Sequence, residues 1–230
     1  MKVIKRKSGL FLFCALVVIS IFLFYTAYNK KEQALNFNDL VDVFLVKDIN
    51  HTLSELNKVA ALAGIGLLSI AIAIGPLAIL FPGIFREYVW WRKFLGLTGV
   101  TLILIHALYA ISIHYRFSVI KMFIKNEKVW GVIMGLLALL IFLAMAATSN
   151  SAAIRAFGAK RWKVLHRFGY LALISGAMHF IIMETKSGGL IEIRPYGWVF
   201  LYLPFITLFL KMTSMVYQKV RITLAKPSSS

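Results

Sequence analysis

At 230 residues, 60% of them hydrophobic and only 15% charged, the chain carries more apolar surface than one soluble domain of this size can bury. A formal net charge of +17 would suit nucleic acid in a soluble protein, but here it has a simpler origin, because cytoplasmic loops of membrane proteins collect Lys and Arg. No nucleic-acid partner is expected, and the single cysteine, Cys14, excludes an internal disulfide.

Taken in chain order, six apolar blocks are long enough to cross a bilayer, for which about 20 residues are needed. They run Gly9–Tyr28, Val59–Phe81, Phe94–Ile113, Val129–Ala147, Val164–Met183 and Gly197–Val216. The fold class expected is therefore all-α, a polytopic membrane helical bundle of six transmembrane helices. The first block follows "MKVIKRK"; its length and the lack of a clean small-x-small site favour an uncleaved anchor over a signal peptide. Residues 1–28 are thus read as an N-terminal anchor and 29–58 as an extracytoplasmic loop. Within that loop Phe37, Leu40, Val41, Phe44 and Leu45 recur at the spacing of a short amphipathic helix. Residues 59–217 form the membrane domain and 218–230 a cytoplasmic tail. In the second block, Gly75-Pro76 predicts a kink and Pro82-Gly83 a turn. Thr148-Ser149-Asn150, after the fourth block, suits a helix end or cap.

Orientation follows from charge. With the N-terminus inside, Lys2–Lys7, Arg86–Lys93, Arg155–Lys163 and Lys219–Lys226 all fall on the cytoplasmic side, opposed by the basic outer loop 114–128. The expected location is the inner (plasma) membrane, multi-pass, with both termini cytoplasmic and lipid as the surrounding partner.

The histidines carry the chemistry. Ionisable groups at membrane depth are costly and point to function. His106 lies about 18 Å along the third block from its inner end, and His179 about 22 Å along the fifth, so the two share a depth. Two neutral imidazoles at one depth can clamp a b-type haem from both sides. The blander alternative is that each ring bonds a backbone carbonyl or a hydroxyl on a neighbour and serves packing. Arg92, fourteen residues before His106, falls within about 40° of the same helix face and about 21 Å below it. With His166, Arg92 makes an inner level. Thirteen residues separate His166 from His179, which turns an ideal helix about 140° off the starting face. The two share a face only if the helix bends, carries a π-bulge or starts irregularly at His166, and Ser175-Gly176 is one candidate bend. His51 reads as a solvated loop residue and His114 as interfacial. No C-x-x-C-H offers covalent haem attachment.

Three stretches, "GLLSIAIAIGPL", "WRKFLGLTGVTLILIHALY" and "ATSNSAAIRAFGAKRWKVLHRFGYLALISGAMHF", give the chain a resemblance to a known group. It resembles the ferric reductase-like transmembrane domain superfamily, and within it the MsrQ family of haem-bearing membrane subunits of methionine sulfoxide reductase systems. The resemblance spans about residues 60–183. It implies that His106 and His179 hold an outer haem and that His166 is the helix-five ligand of an inner one. Arg92 stands where the superfamily's oxidases have the inner helix-three histidine, as in MsrQ-like proteins. An inner haem could then be five-coordinate or take another ligand. Alternatively the level is empty and Arg92 meets a propionate or phospholipid. One haem b is expected, and a second stays open.

The resemblance also implies electron transfer to an extracytoplasmic acceptor, such as a reductase subunit. With no G-x-G-x-x-G fingerprint, the donor is expected to be separate: a cytoplasmic flavin reductase, a bound flavin or quinol. Arg155, Lys160, Arg161 and Lys163 could cradle a flavin phosphate, although positive-inside bias explains them without one; Trp90, Trp91 and Trp162 suit the membrane interface. The chain reads as the electron-transfer subunit of an oxidoreductase, not a self-sufficient enzyme. Two alternatives stand beside this: a cytochrome b anchor subunit of a quinol-oxidising complex, and a haem-free transporter or scaffold.

Overall fold

The structure, a computed structural model, describes residues 28–29, 34–35, 49–185, 193 and 195–224. A two-residue antiparallel ladder, β1 (Tyr28–Asn29) with β2 (Ala34–Leu35), precedes the helices. The helices are α1 (Ile49–Leu80), the short α2 (Pro82–Phe85), α3 (Trp91–Tyr109), α4 (Val129–Ala147), α5 (Ser151–Arg167), α6 (Gly169–Glu184) and α7 (Pro195–Leu224). Five segments are long and apolar enough to span a membrane: Thr52–Leu80, Trp91–His114, Val129–Ala147, Ser151–Glu184 and Gly197–Leu224. They correspond to the second to sixth blocks, so the chain is a multi-pass helical membrane protein. The first block and the amphipathic segment around Phe37–Leu45 lie outside the described residues.

Hydropathy located the helices but not their ends. α1 begins at Ile49, ten residues before the expected start at Val59, because "INHTLSELNK" is polar yet well suited to helix. Its Glu55–Lys58 pair, one turn apart, closes at 2.8 Å. At the other end of the chain α7 continues to Leu224, into the stretch read as tail. The expected inner loop after α4 is instead mostly helix. Asn150 caps α5 by accepting from the Ala153 N–H at 2.8 Å, while Thr148 and Ser149 bond back to carbonyls of α4. Gly158, at φ 76° and ψ 148°, interrupts that helix in a conformation that only glycine adopts without strain. Pro76 is contained within α1, and Pro82 opens α2 at a position where its missing N–H costs nothing.

α1 is the central post of the bundle. Two thirds of its spanning window is buried (67%), against 17–28% in the other four, and it packs on α3, α6 and α7. The core around it joins Leu68 and Ile72 of α1 to Val100, Ala138, Ala172, Leu173 and a fully buried Phe142. Without a hydrophobic driving force between helices in lipid, such contacts depend on close approach of small residues. A Cβ added at Gly64 would lie 3.0 Å from the Gly99 carbonyl oxygen, and one at Gly99 would lie 2.9 Å from the Gly64 carbonyl oxygen. The α1–α3 crossing therefore needs glycine at both positions. Towards α7, the Thr207 hydroxyl lies 3.2 Å from the Ser69 carbonyl and 2.8 Å from that of Leu203, so one buried donor is shared between two helices.

Gly99→Val is expected to destabilise the bundle by about 1–3 kcal/mol through overpacking. Gly96→Ala, with nothing within 4 Å of the added carbon, should be neutral or up to about 1 kcal/mol stabilising. Unfolding of both variants in mixed micelles would check the contrast.

Candidate functional site

His106 sits in the last turn of α3, where Nδ1 lies 3.3 Å from the Asn57 carbonyl oxygen of α1. His179, in the second half of α6, places Nδ1 2.8 Å from the Gly131 carbonyl oxygen in the first turn of α4. Carbonyl oxygens only accept, so each ring donates from Nδ1 and is left with the lone pair on Nε2. The two rings face each other at a centroid separation of 6.1 Å and an interplanar angle of 74°. They share an apolar cavity of about 400 Å³ whose wall includes Ile65, Ile103, Ala138, Leu139 and Phe142. Gly135 makes room for the second ring, since a Cβ there would stand 2.7 Å from His179 Nδ1.

This arrangement has a definite chemical use. A metal–imidazole bond of about 2 Å, plus about 1 Å from nitrogen to ring centre, taken on both sides, gives about 6 Å between ring centres. The observed separation of 6.1 Å is close to that figure. Among the described residues no group of three or more His, Cys, Asp or Glu side chains converges. Two neutral imidazoles lining one apolar slot are a donor pair that could hold a metal cofactor bringing further ligands of its own.

The inner level is organised differently. His166, in the last turn of α5, stacks on Trp162 at 4.0 Å and 31°. Its Nε2 lies 3.3 Å from the Thr148 hydroxyl oxygen, whose proton goes to the Ala144 carbonyl at 2.8 Å. Trp162 donates Nε1–H to the Thr148 carbonyl at 2.9 Å, completing a closed Thr–Trp–His set. Arg92 lies across from it, within electrostatic range of His166 and Tyr170, yet its Nε donates to the Ala71 carbonyl at 3.1 Å. Its guanidinium rests over Gly75, 3.4 Å from where a Cβ would be. So the structure brings His106 and His179 together as a facing pair, and engages His166 and Arg92 with other partners.

Residues 59–177, just over half of the chain, match the family described as ferric reductase like transmembrane component. The chain belongs to this family. It is similar to the protein-methionine-sulfoxide reductase heme-binding subunit MsrQ of Polaromonas naphthalenivorans, at 31% identity over 56% of this chain and 58% of that protein. It is likewise similar to the protein of the same name from Agrobacterium fabrum, at 29% identity over 69% of this chain and 66% of the relative. The magnetosome protein MamZ of Magnetospirillum gryphiswaldense shares 29% identity over 43% of this chain but only 15% of its own length. The chain thus spans little more than half of the first of these relatives and a small part of the third.

Within this ferric reductase-like core, the two helix-five histidines belong to different helices. The break falls at Phe168, between α5 and α6, next to His166, whereas Ser175-Gly176 lies inside an unbroken α6. The helix break therefore lies beside His166, and the two histidines engage different partners. Arg155, Lys160, Arg161 and Lys163 are exposed along α5. His114 is exposed at the end of a π-helical turn (Ala110–His114), edge-on to Tyr115 at 4.8 Å, and touches the outer end of the cavity. His51 falls where side chains are not described.

Sequence reasoning missed the groups that aim the rings. The Asn57 and Gly131 carbonyls are backbone atoms, which leave no side-chain signature. Gly135 was one of several glycines in apolar helices. Thr148 and Trp162 were noted only for a cap and for the membrane interface, although the spacing Trp162-x-x-x-His166 already places both rings on one helix face.

Gly135→Val should drive the His179 ring from its place and lengthen the 6.1 Å separation. A structure of the variant would check this; an undisturbed ring pair would show that α4 yields instead.

Proposed function

We propose that the chain is a b-type haem-binding electron-transfer protein of the membrane, in which His106 and His179 would hold one haem. The observation that carries this reading is the facing pair itself, 6.1 Å between ring centres, with both Nδ1 atoms committed to backbone carbonyls. Those hydrogen bonds fix tautomer and ring orientation, and they raise the basicity of the remaining nitrogen. The wall around the two rings is mostly apolar. The relatives named as heme-binding subunits point the same way.

A haem held in this way supplies one-electron chemistry at an iron closed to substrate. The protein's own part is to hold the two rings at one depth and to exclude water. With the basic segments inside, the pair lies in the outer half of the membrane, so electrons would pass from a cytoplasmic side to an extracytoplasmic acceptor. A flavin reductase, a bound flavin or quinol would serve as donor. A reductase subunit outside the inner membrane would serve as acceptor. The inner level fits a second haem poorly, because His166 Nε2 is held by Thr148 and Arg92, which stays protonated, cannot ligate iron. One haem per chain is the stoichiometry we assign.

Purified protein should show a reducible b-type spectrum and a pyridine haemochrome count near one per chain. His106→Ala and His179→Ala should each lose most of the haem, and His166→Ala should keep it. Colourless protein from haem-replete cells would sink the reading. Two haems per chain, one of them lost in His166→Ala, would overturn the single-haem assignment.

A further inference from the structure

The turn of α1 that reaches His106 also places charge at the cavity. Asn57 gives its carbonyl to His106, and the next residue, Lys58, lines the same cavity as both histidines. Glu55, three residues earlier and only 4% exposed, holds the Lys58 ammonium at 2.8 Å. A buried carboxylate thus fixes a lysine that is itself 43% exposed at the rim of an otherwise apolar slot. Glu184 and His114 also line the cavity.

We infer that Lys58 is the anion-binding residue of this cavity, pairing with a carboxylate at the edge of the bound ligand. On the haem reading above, on which this rests, that carboxylate is a haem propionate. The physical argument concerns where charge can go. A macrocycle that fills an apolar slot cannot bury its carboxylates there without great cost, so they must reach the rim. Lys58, which lines the cavity and is partly exposed, offers such a carboxylate a positive partner. An ammonium takes more than one acceptor, and its bond to Glu55 orients it. Glu55 is then a positioning residue. The competing account is that Lys58 merely extends to the membrane surface along its own helix.

The discriminating experiment titrates the full-length, haem-depleted protein in detergent with hemin and with hemin dimethyl ester, whose propionates carry no charge. Wild type should bind hemin about tenfold more tightly than the ester, the gain of one partly exposed charge-assisted pair. Lys58→Met should bring that ratio close to one, chiefly by weakening hemin, and Lys58→Arg should restore it. Lys58→Gln repeats the test with a polar side chain should the methionine variant fold poorly. A ratio near one in wild type, or a ratio unchanged in Lys58→Met or Lys58→Gln, would overturn the inference while leaving the haem reading intact. Failure of wild type to bind either compound would instead remove the haem reading itself.

Discussion

Two hydrogen bonds from imidazole to backbone carbonyl, His106 to Asn57 and His179 to Gly131, are the interactions on which the site depends. A histidine in an apolar bundle must find a partner for its N–H. By finding it in a neighbouring helix, each ring ties its own helix to another: α3 to α1, and α6 to α4. The satisfaction of a buried donor and the aiming of a free nitrogen are thus one event. The bland expectation for these residues, a ring bonded to a carbonyl, is therefore met, and it leaves the second nitrogen of each ring uncommitted.

α1 makes this possible. It is the most enclosed spanning helix, and it meets α3 through glycines at 64 and 99, which bring the two backbones close enough for the Asn57 carbonyl to reach His106. Towards its inner end, Pro76 has no N–H to offer the carbonyl four residues back. Arg92 approaches this weakened stretch, lying over Gly75 and donating to the Ala71 carbonyl. Arg92 therefore acts as a brace between α3 and α1. Together with the closed Thr148–Trp162–His166 set, it makes the inner level a structural joint where the chain leaves α4, runs along α5 and turns into α6.

How much of this could be read from sequence depended on the kind of signal. Long apolar blocks exposed the five described spans, because lipid imposes a length on every crossing. Histidines at matched depth exposed the outer pair, because a polar group in such a block is rare enough to stand out. Helix ends were less legible. "INHTLSELNK" is polar and was taken for loop, and the same misreading hid Asn57 and Lys58 as neighbours of the site. The basic stretch after α4 has too little apolar content to show as a helix by hydropathy. The rotation between His166 and His179 could be computed from sequence, but the helix break at Phe168 could not. Phe168 carries no breaker signature, and the Gly169 that follows it is buried against Met145 and Ile72.

The most direct test of the facing pair is the low-temperature electron paramagnetic resonance spectrum of the oxidised protein. Two axial imidazoles whose planes are 74° apart should give a highly anisotropic low-spin ferric signal, distinct from the rhombic signal of near-parallel rings. A high-spin signal would mean that one of the two histidines is not bound to iron, and it would contradict the arrangement described here.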